Sequence, residues 1–262
     1  DKFGSDNITC SDVRLPAISP KARFIQLDVL DKEMIRKVIK ENGITQIYHL
    51  AALLSAKGEQ NPALTWKINM QGLLNVLELA HEENIERMFY PSSIAVFGPT
   101  TPKINTPQFA SFQPTTVYGI SKIAGEMWCE YFHNRYGVDV RSIRYPGVIG
   151  WQSLPEGGTT DYAVEIFHGA IKNCSYTSFL AENTRLPMIY MDDAIRATLE
   201  LMDAEPSQIK IRTSYNLVGM SFTPGEVAKE IQKLIPDFKI QYQPDFRQKI
   251  AESWTESIDD SP

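Results

Sequence analysis

Apolar positions recur along the chain in two alternating rhythms. Short apolar runs that end on acidic or polar residues (Asn7 to Asp12, Arg23 to Asp28, Ile44 to Leu50, Arg87 to Tyr90, Val138 to Arg144) alternate with stretches of helical spacing. The first of those helices carries both of its end signals. Asp31 is an N-cap residue, Met34, Ile35, Val38 and Ile39 follow at helical spacing, and Gly43 is a stop. Two longer helices are predicted over about 62–84 and about 117–136. Strands alternating with helices predict a parallel sheet covered on both faces, a Rossmann-type, doubly wound α/β fold. After Pro146 the rhythm breaks. Residues 147–162 read as a Gly-, Thr- and Pro-bearing loop, and residues 163–262 mix short helices with short strands. The expected division is a doubly wound domain over 1–150 and, over 151–262, mainly a smaller α/β lobe for substrate, with some later segments returning to the sheet.

Composition narrows the partners. The 262 residues are 43% hydrophobic, which suffices for one α/β core and a smaller lobe. The net charge is −6 with no basic tract, which argues against nucleic acid. No apolar run approaches the ~18 residues of a membrane-spanning helix. Cys10, Cys129 and Cys174 are far apart and odd in number, so they read as reduced thiols. Four scattered histidines give no zinc-ligand spacing, and no metal is expected.

The chemistry concentrates in Tyr118-Gly119-Ile120-Ser121-Lys122. A tyrosine and a lysine four residues apart share one helix face. An ammonium beside a phenol favours the phenolate, so the tyrosine pKa is expected to fall toward the range of a general base. A serine from Pro91-Ser92-Ser93-Ile94 brought alongside would hydrogen-bond the oxygen that loses its proton. Such a set suits oxidation of an alcohol to a ketone. Asp12, ending the first run, is placed to hydrogen-bond an adenosine ribose. Its charge repels a 2′-phosphate and so favours NAD over NADP, although Arg14 nearby would tolerate that phosphate; the alternative is a turn acid. Asp28 would face the adenine edge or serve the turn into the next helix. The Gly-rich phosphate loop expected ~20 residues before Asp12 has no chain in which to lie. The sequence therefore reads as an N-terminally incomplete form that lacks the first strand and its Gly-rich loop.

Several motifs carry a family resemblance. Tyr118-x-x-x-Lys122, Pro91-Ser92-Ser93-Ile94-Ala95-Val96-Phe97-Gly98, Leu50-Ala51-Ala52 and Asn69-Met70-Gln71-Gly72 resemble the extended short-chain dehydrogenase/reductases. Ala51-Ala52-Leu53-Leu54-Ser55-Ala56, Arg144-Tyr145-Pro146-Gly147, Gly157-Gly158-Thr159-Thr160-Asp161 and Ala251-Glu252-Ser253-Trp254 look like the short-chain-type L-threonine 3-dehydrogenases. The resemblance implies oxidation of L-threonine to 2-amino-3-ketobutyrate with NAD; the alternatives are a nucleotide-sugar epimerase or dehydratase, or a non-catalytic NAD(H)-binding protein on the same fold. Tyr118 would be the base, Lys122 its modulator and a ribose partner, and Ser93 the holder of the reacting oxygen. Ser93 is preferred to Ser92 because it keeps the family spacing to Val96-Phe97-Gly98. Cofactor contacts are implied at Asp12, Asp28, Val29, Leu50, Ala51, Ala52, Asn69, Tyr118, Lys122, Tyr145 and Pro146. Asn69 would face the site, shaping the backbone and holding a relay water. Substrate contacts are implied at Ser55, Ser93, Tyr118 and Thr160, with Thr160 preferred to Thr159. Arg185 reads as a salt-bridged surface residue, and Trp66, Trp128 and Trp151 as packing. The resemblance also implies a homodimer paired through the two long helices, and a compartment that is mitochondrial in eukaryotes or cytoplasmic in bacteria.

Overall fold

The computed structural model describes residues 2–152, 154–155 and 157–261. The chain runs β1 (Thr9–Asp12), β2 (Arg23–Gln26), α1 (Lys32–Asn42), β3 (Gln46–Tyr48), α2 (Ser55–Gly58), α3 (Pro62–Trp66), a π-turn over Lys67–Gln71, α4 (Gly72–Glu82), β4 (Arg87–Ser93), α5 (Val117–Tyr136) and β5 (Val140–Tyr145). It continues through β6 (Gly147–Ile149), α6 (Tyr162–Asn173), β7 (Ser175–Ser178), β8 (Leu186–Tyr190), α7 (Met191–Asp203), β9 (Tyr215–Asn216), β10 (Met220–Phe222), α8 (Pro224–Leu234), β11 (Lys239–Tyr242) and α9 (Phe246–Ser253). The fold is α/β and Rossmann-like, with parallel sheets. β3-β4-β5-β9 form a four-stranded parallel sheet, and β1 and β2 form a parallel pair of their own.

Local signals place the helices. Asp31 accepts from the Met34 amide at 2.9 Å and Gly43 takes φ 58°, so α1 begins and ends where its cap residues put it. α5 is capped by Thr116 at one end and by Gly137, φ 73°, at the other. The predicted helix over about 62–84 is real but not uniform, because the π-turn interrupts it between α3 and α4. The expected loop over 147–162 begins with a strand. β6 pairs in parallel with β8, which pairs antiparallel with β10. Val148 and Ile149 are β-branched and suit a strand; the flanking glycines obscured them.

Two apolar clusters matter for the site. One packs Ile35 of α1, Leu73 and Leu77 of α4, and Cys129 and Phe132 of α5 against Met88 and Val140 of the sheet. The other joins the turn after β4 (Ile94 to Phe97) and Tyr118 to Tyr162, Leu186, Met188 and Trp254 of the later segments. The 151–262 segment therefore closes directly on the strand end and helix start that carry the motif.

Candidate active site

All strands of the main sheet are parallel, so their carboxyl ends open on one edge. Two sheets meet there. A Cβ added to Gly72 would lie 2.8 Å from Val29, just past β2, and 3.8 Å from His49, just past β3. β4 delivers Ser92 and Ser93 to this edge with side chains on opposite faces. Ser92 is buried and donates to Glu126 Oε1 at 2.5 Å. Ser93 Oγ accepts from the Ala95 amide at 3.2 Å and lies on the Tyr118 side, close enough to act on its phenol. The two serines thus face different partners.

Tyr118 is held by the way α5 starts. Thr116 Oγ1 accepts from the Gly119 amide at 3.0 Å and Glu59 Oε1 from the Val117 amide at 2.8 Å, which satisfies two otherwise unpaired helix donors. Gly119 lies against the turn after Ser93; a Cβ on it would be 2.1 Å from the Ala95 carbonyl oxygen. Only hydrogen fits, and this close approach brings Tyr118 to Ser93. One turn on, Lys122 Nζ donates to the Pro91 carbonyl at 2.6 Å and lies 5.4 Å from the Tyr118 ring centroid.

Electrostatics correct the sequence expectation for Tyr118. Its pKa is pushed up to about 12 by burial, with the nearby Ser93 hydroxyl pulling the other way. Lys122 is pushed down to about 8, again by burial. Removing water penalises phenolate and ammonium alike, and sequence spacing reports the neighbouring charge but not that penalty. His49 is pushed down to about 3 by burial and by the Lys122 charge, so a neutral imidazole stands beside the pair.

Asn69 is buried in the π-turn and holds backbone. Its Oδ1 accepts from the Leu53 amide at 2.8 Å, and its Nδ2 reaches the Leu53 carbonyl and Ser121 Oγ, each at 3.1 Å. It clamps the segment after Leu50-Ala51-Ala52 to the catalytic helix. Ser55 is also buried, and its hydroxyl pairs with Thr159 at 3.0 Å, so Thr159 rather than Thr160 meets it. Thr160 packs against Gly147. The Tyr145 hydroxyl bonds Thr198 Oγ1 and its ring meets Phe89 edge-on, so its side chain turns into the core. At the strand end β5 leaves backbone and the buried Pro146. Arg185 donates to the Ser221 carbonyl and pairs with Glu226. Trp128 packs on Tyr131 and Phe132 as expected, while Trp66 and Trp151 are 44% and 74% exposed.

At the cofactor edge, Asp12 is exposed, with Oδ1 accepting from the Arg14 amide. Asp28 accepts from the Leu30 amide and shapes the turn into α1. Leu50 is 68% exposed beyond β3, with Ala51 exposed beside it. An exposed acid at the end of β1 and an apolar ledge past β3 suit the adenosine half of a dinucleotide. Sequence reasoning missed Glu59, Gly119, Glu126 and Arg144. Glu126 follows Lys122 by four residues on α5, but its partner Arg144 lies on β5.

Comparison with known proteins gives concordant results. A model of the NAD-dependent epimerase/dehydratase family matches residues 5–217. An uncharacterised epimerase/dehydratase of Staphylococcus aureus is 48% identical over 99% of this chain and 82% of its own length. A GalE-like L-threonine dehydrogenase from Cupriavidus necator, solved in its holo form, superposes with a TM-score of 0.97 at 53% identity, covering 99% of this chain and 84% of that one. A monomeric L-threonine 3-dehydrogenase from a metagenome has a TM-score of 0.96 at 49% identity, covering 99% and 83%.

Proposed function

Since the chain belongs to the NAD-dependent epimerase/dehydratase family, we propose that this NAD-dependent enzyme oxidises L-threonine at Cβ to 2-amino-3-ketobutyrate. The observation that most supports this reading is Ser93, Tyr118 and Lys122 gathered at the sheet's carboxyl edge, in a chain about half identical to solved threonine dehydrogenases. NAD, when bound, supplies the hydride acceptor. The protein handles the proton. Ser93 Oγ holds the substrate hydroxyl, Tyr118 as phenolate takes its proton, and the C–H electrons leave as hydride, so a ketone forms and one proton stays on Tyr118. Lys122 supplies the positive charge opposite the phenolate. Residues 1–150 carry the cofactor in this reading, and residues 151–262 mainly the substrate. Ser55 and Thr160 are candidates for its polar groups, together with Thr159.

A pH dependence follows from the two shifts. The competent form has Tyr118 ionised and Lys122 protonated. Below pH about 8 the lysine is charged and phenolate is scarce, so each pH unit adds about tenfold. Above about 8, gain of phenolate is offset by loss of ammonium. Log kcat/KM for threonine should climb with unit slope to about pH 8 and then flatten, measured by nicotinamide absorbance. Turnover of UDP-sugars instead of threonine would overturn the substrate assignment.

Leu64 and Trp66 of α3 and Ile120, Met127, Trp128 and Tyr131 of α5 are exposed. Such a face suits a second copy of the chain, and we place a homodimer interface there, although one similar protein is described as monomeric. Sedimentation velocity should give twice the chain mass, and half that value for Trp128→Glu. A monomeric parent would remove the assignment.

A further inference from the structure

Three buried residues next to the reacting trio have no role in that mechanism. Glu126 and Arg144 are 0% and 1% exposed, and they pair through two nitrogens, with Nε to Oε1 at 2.9 Å and Nη2 to Oε2 at 2.7 Å. Arg144 also donates to the Gln108 carbonyl at 2.8 Å and Asn216 Oδ1 at 3.1 Å. Ser92 completes the Glu126 shell. A buried ion pair is a poor device for stability, because well-packed apolar residues often do as well or better. Its location is more telling. Tyr118, Lys122 and Glu126 recur every four residues on α5 and so share one face. Ser92 immediately precedes Ser93.

Charge sharpens the point. The groups facing Lys122 are the Pro91 carbonyl and Tyr90 of β4, Tyr118, Glu126 and Cys129 of α5, and His49 past β3. Burial holds both phenols and the Cys129 thiol protonated, and His49 neutral. Glu126 is the one anion in that set. We propose that Glu126 is a positioning residue for proton transfer: through Ser92 it locks the strand that carries Ser93 against α5, and it is the counter-charge to the Lys122 ammonium, with Arg144 holding it in place. This rests on the reading that Tyr118 and Lys122 handle the hydroxyl proton.

The test uses Ser92→Ala and the double variant Glu126→Leu/Arg144→Met, which removes both members of the buried ion pair together. Three quantities are read: the unfolding temperature, the Lys122 titration by NMR of lysine labelled with carbon-13 at the ε carbon, and kcat and KM for threonine against pH. The double variant should stay folded, with the Lys122 midpoint lowered by about one pH unit and the break in log kcat/KM lowered with it. Ser92→Ala should lower kcat about tenfold with KM and the Lys122 midpoint unchanged. A folded double variant with an unmoved Lys122 midpoint, or Ser92→Ala with the parent's kcat, overturns the proposal. The NMR titration needs no turnover, so failure of the threonine reading would appear separately, as an inactive parent whose Lys122 still responds to the double variant.

Discussion

Replacing Tyr118 with phenylalanine is expected to lower kcat for threonine oxidation by about 10³-fold while changing NAD affinity by no more than about twofold. The ring is buried against the turn after β4 and the later segments, and phenylalanine keeps that packing. What disappears is the one oxygen that stands beside Ser93 and, in this reading, accepts the hydroxyl proton. No second titratable group in the immediate set can replace it. His49 is neutral but buried, and Lys122 is tied to the Pro91 carbonyl. Steady-state kinetics with calorimetric NAD titration separates the two effects. Parent-like turnover in Tyr118→Phe would place the base elsewhere.

Gly119→Ala should be nearly as damaging, with kcat reduced by about 10²-fold. The added Cβ would lie 2.1 Å from the Ala95 carbonyl oxygen and 2.7 Å from Pro114 Cβ. The first obstacle is backbone and cannot rotate aside, so the first turn of α5 has to retreat. That retreat opens the Tyr118–Ser93 contact, and an error of roughly 1 Å at reacting groups costs about two orders of magnitude. Circular dichroism establishes whether the variant is folded, and kinetics reads the loss. Full activity in a folded Gly119→Ala would mean that this close approach does not position the tyrosine.

Sequence legibility followed the range of the forces involved. α1 and α5 were readable almost to the residue, because Asp31, Gly43 and the periodic apolar positions are local signals. The π-turn was not, since it leaves the helical pattern unbroken and its anchor, Asn69 on Leu53, is a tertiary contact. β6 was lost between glycines, with its partner β8 some 40 residues away. At the site, the spacing of Tyr118 and Lys122 put them on one face but said nothing of burial, and burial reversed the expected direction for Tyr118. Ser92 and Ser93 are adjacent in sequence, yet alternation along β4 gives one to Glu126 and the other to Tyr118.

The central claim is that the bond broken is the C–H bond at the hydroxyl-bearing carbon of threonine. L-threonine deuterated at Cβ, incubated with the enzyme and NAD, tests it through mass spectrometry of the reduced nicotinamide. Deuterium should appear in NADH, and threonine deuterated at Cα should transfer none. Unlabelled NADH from the Cβ-deuterated substrate, or no NADH at all, would contradict the account.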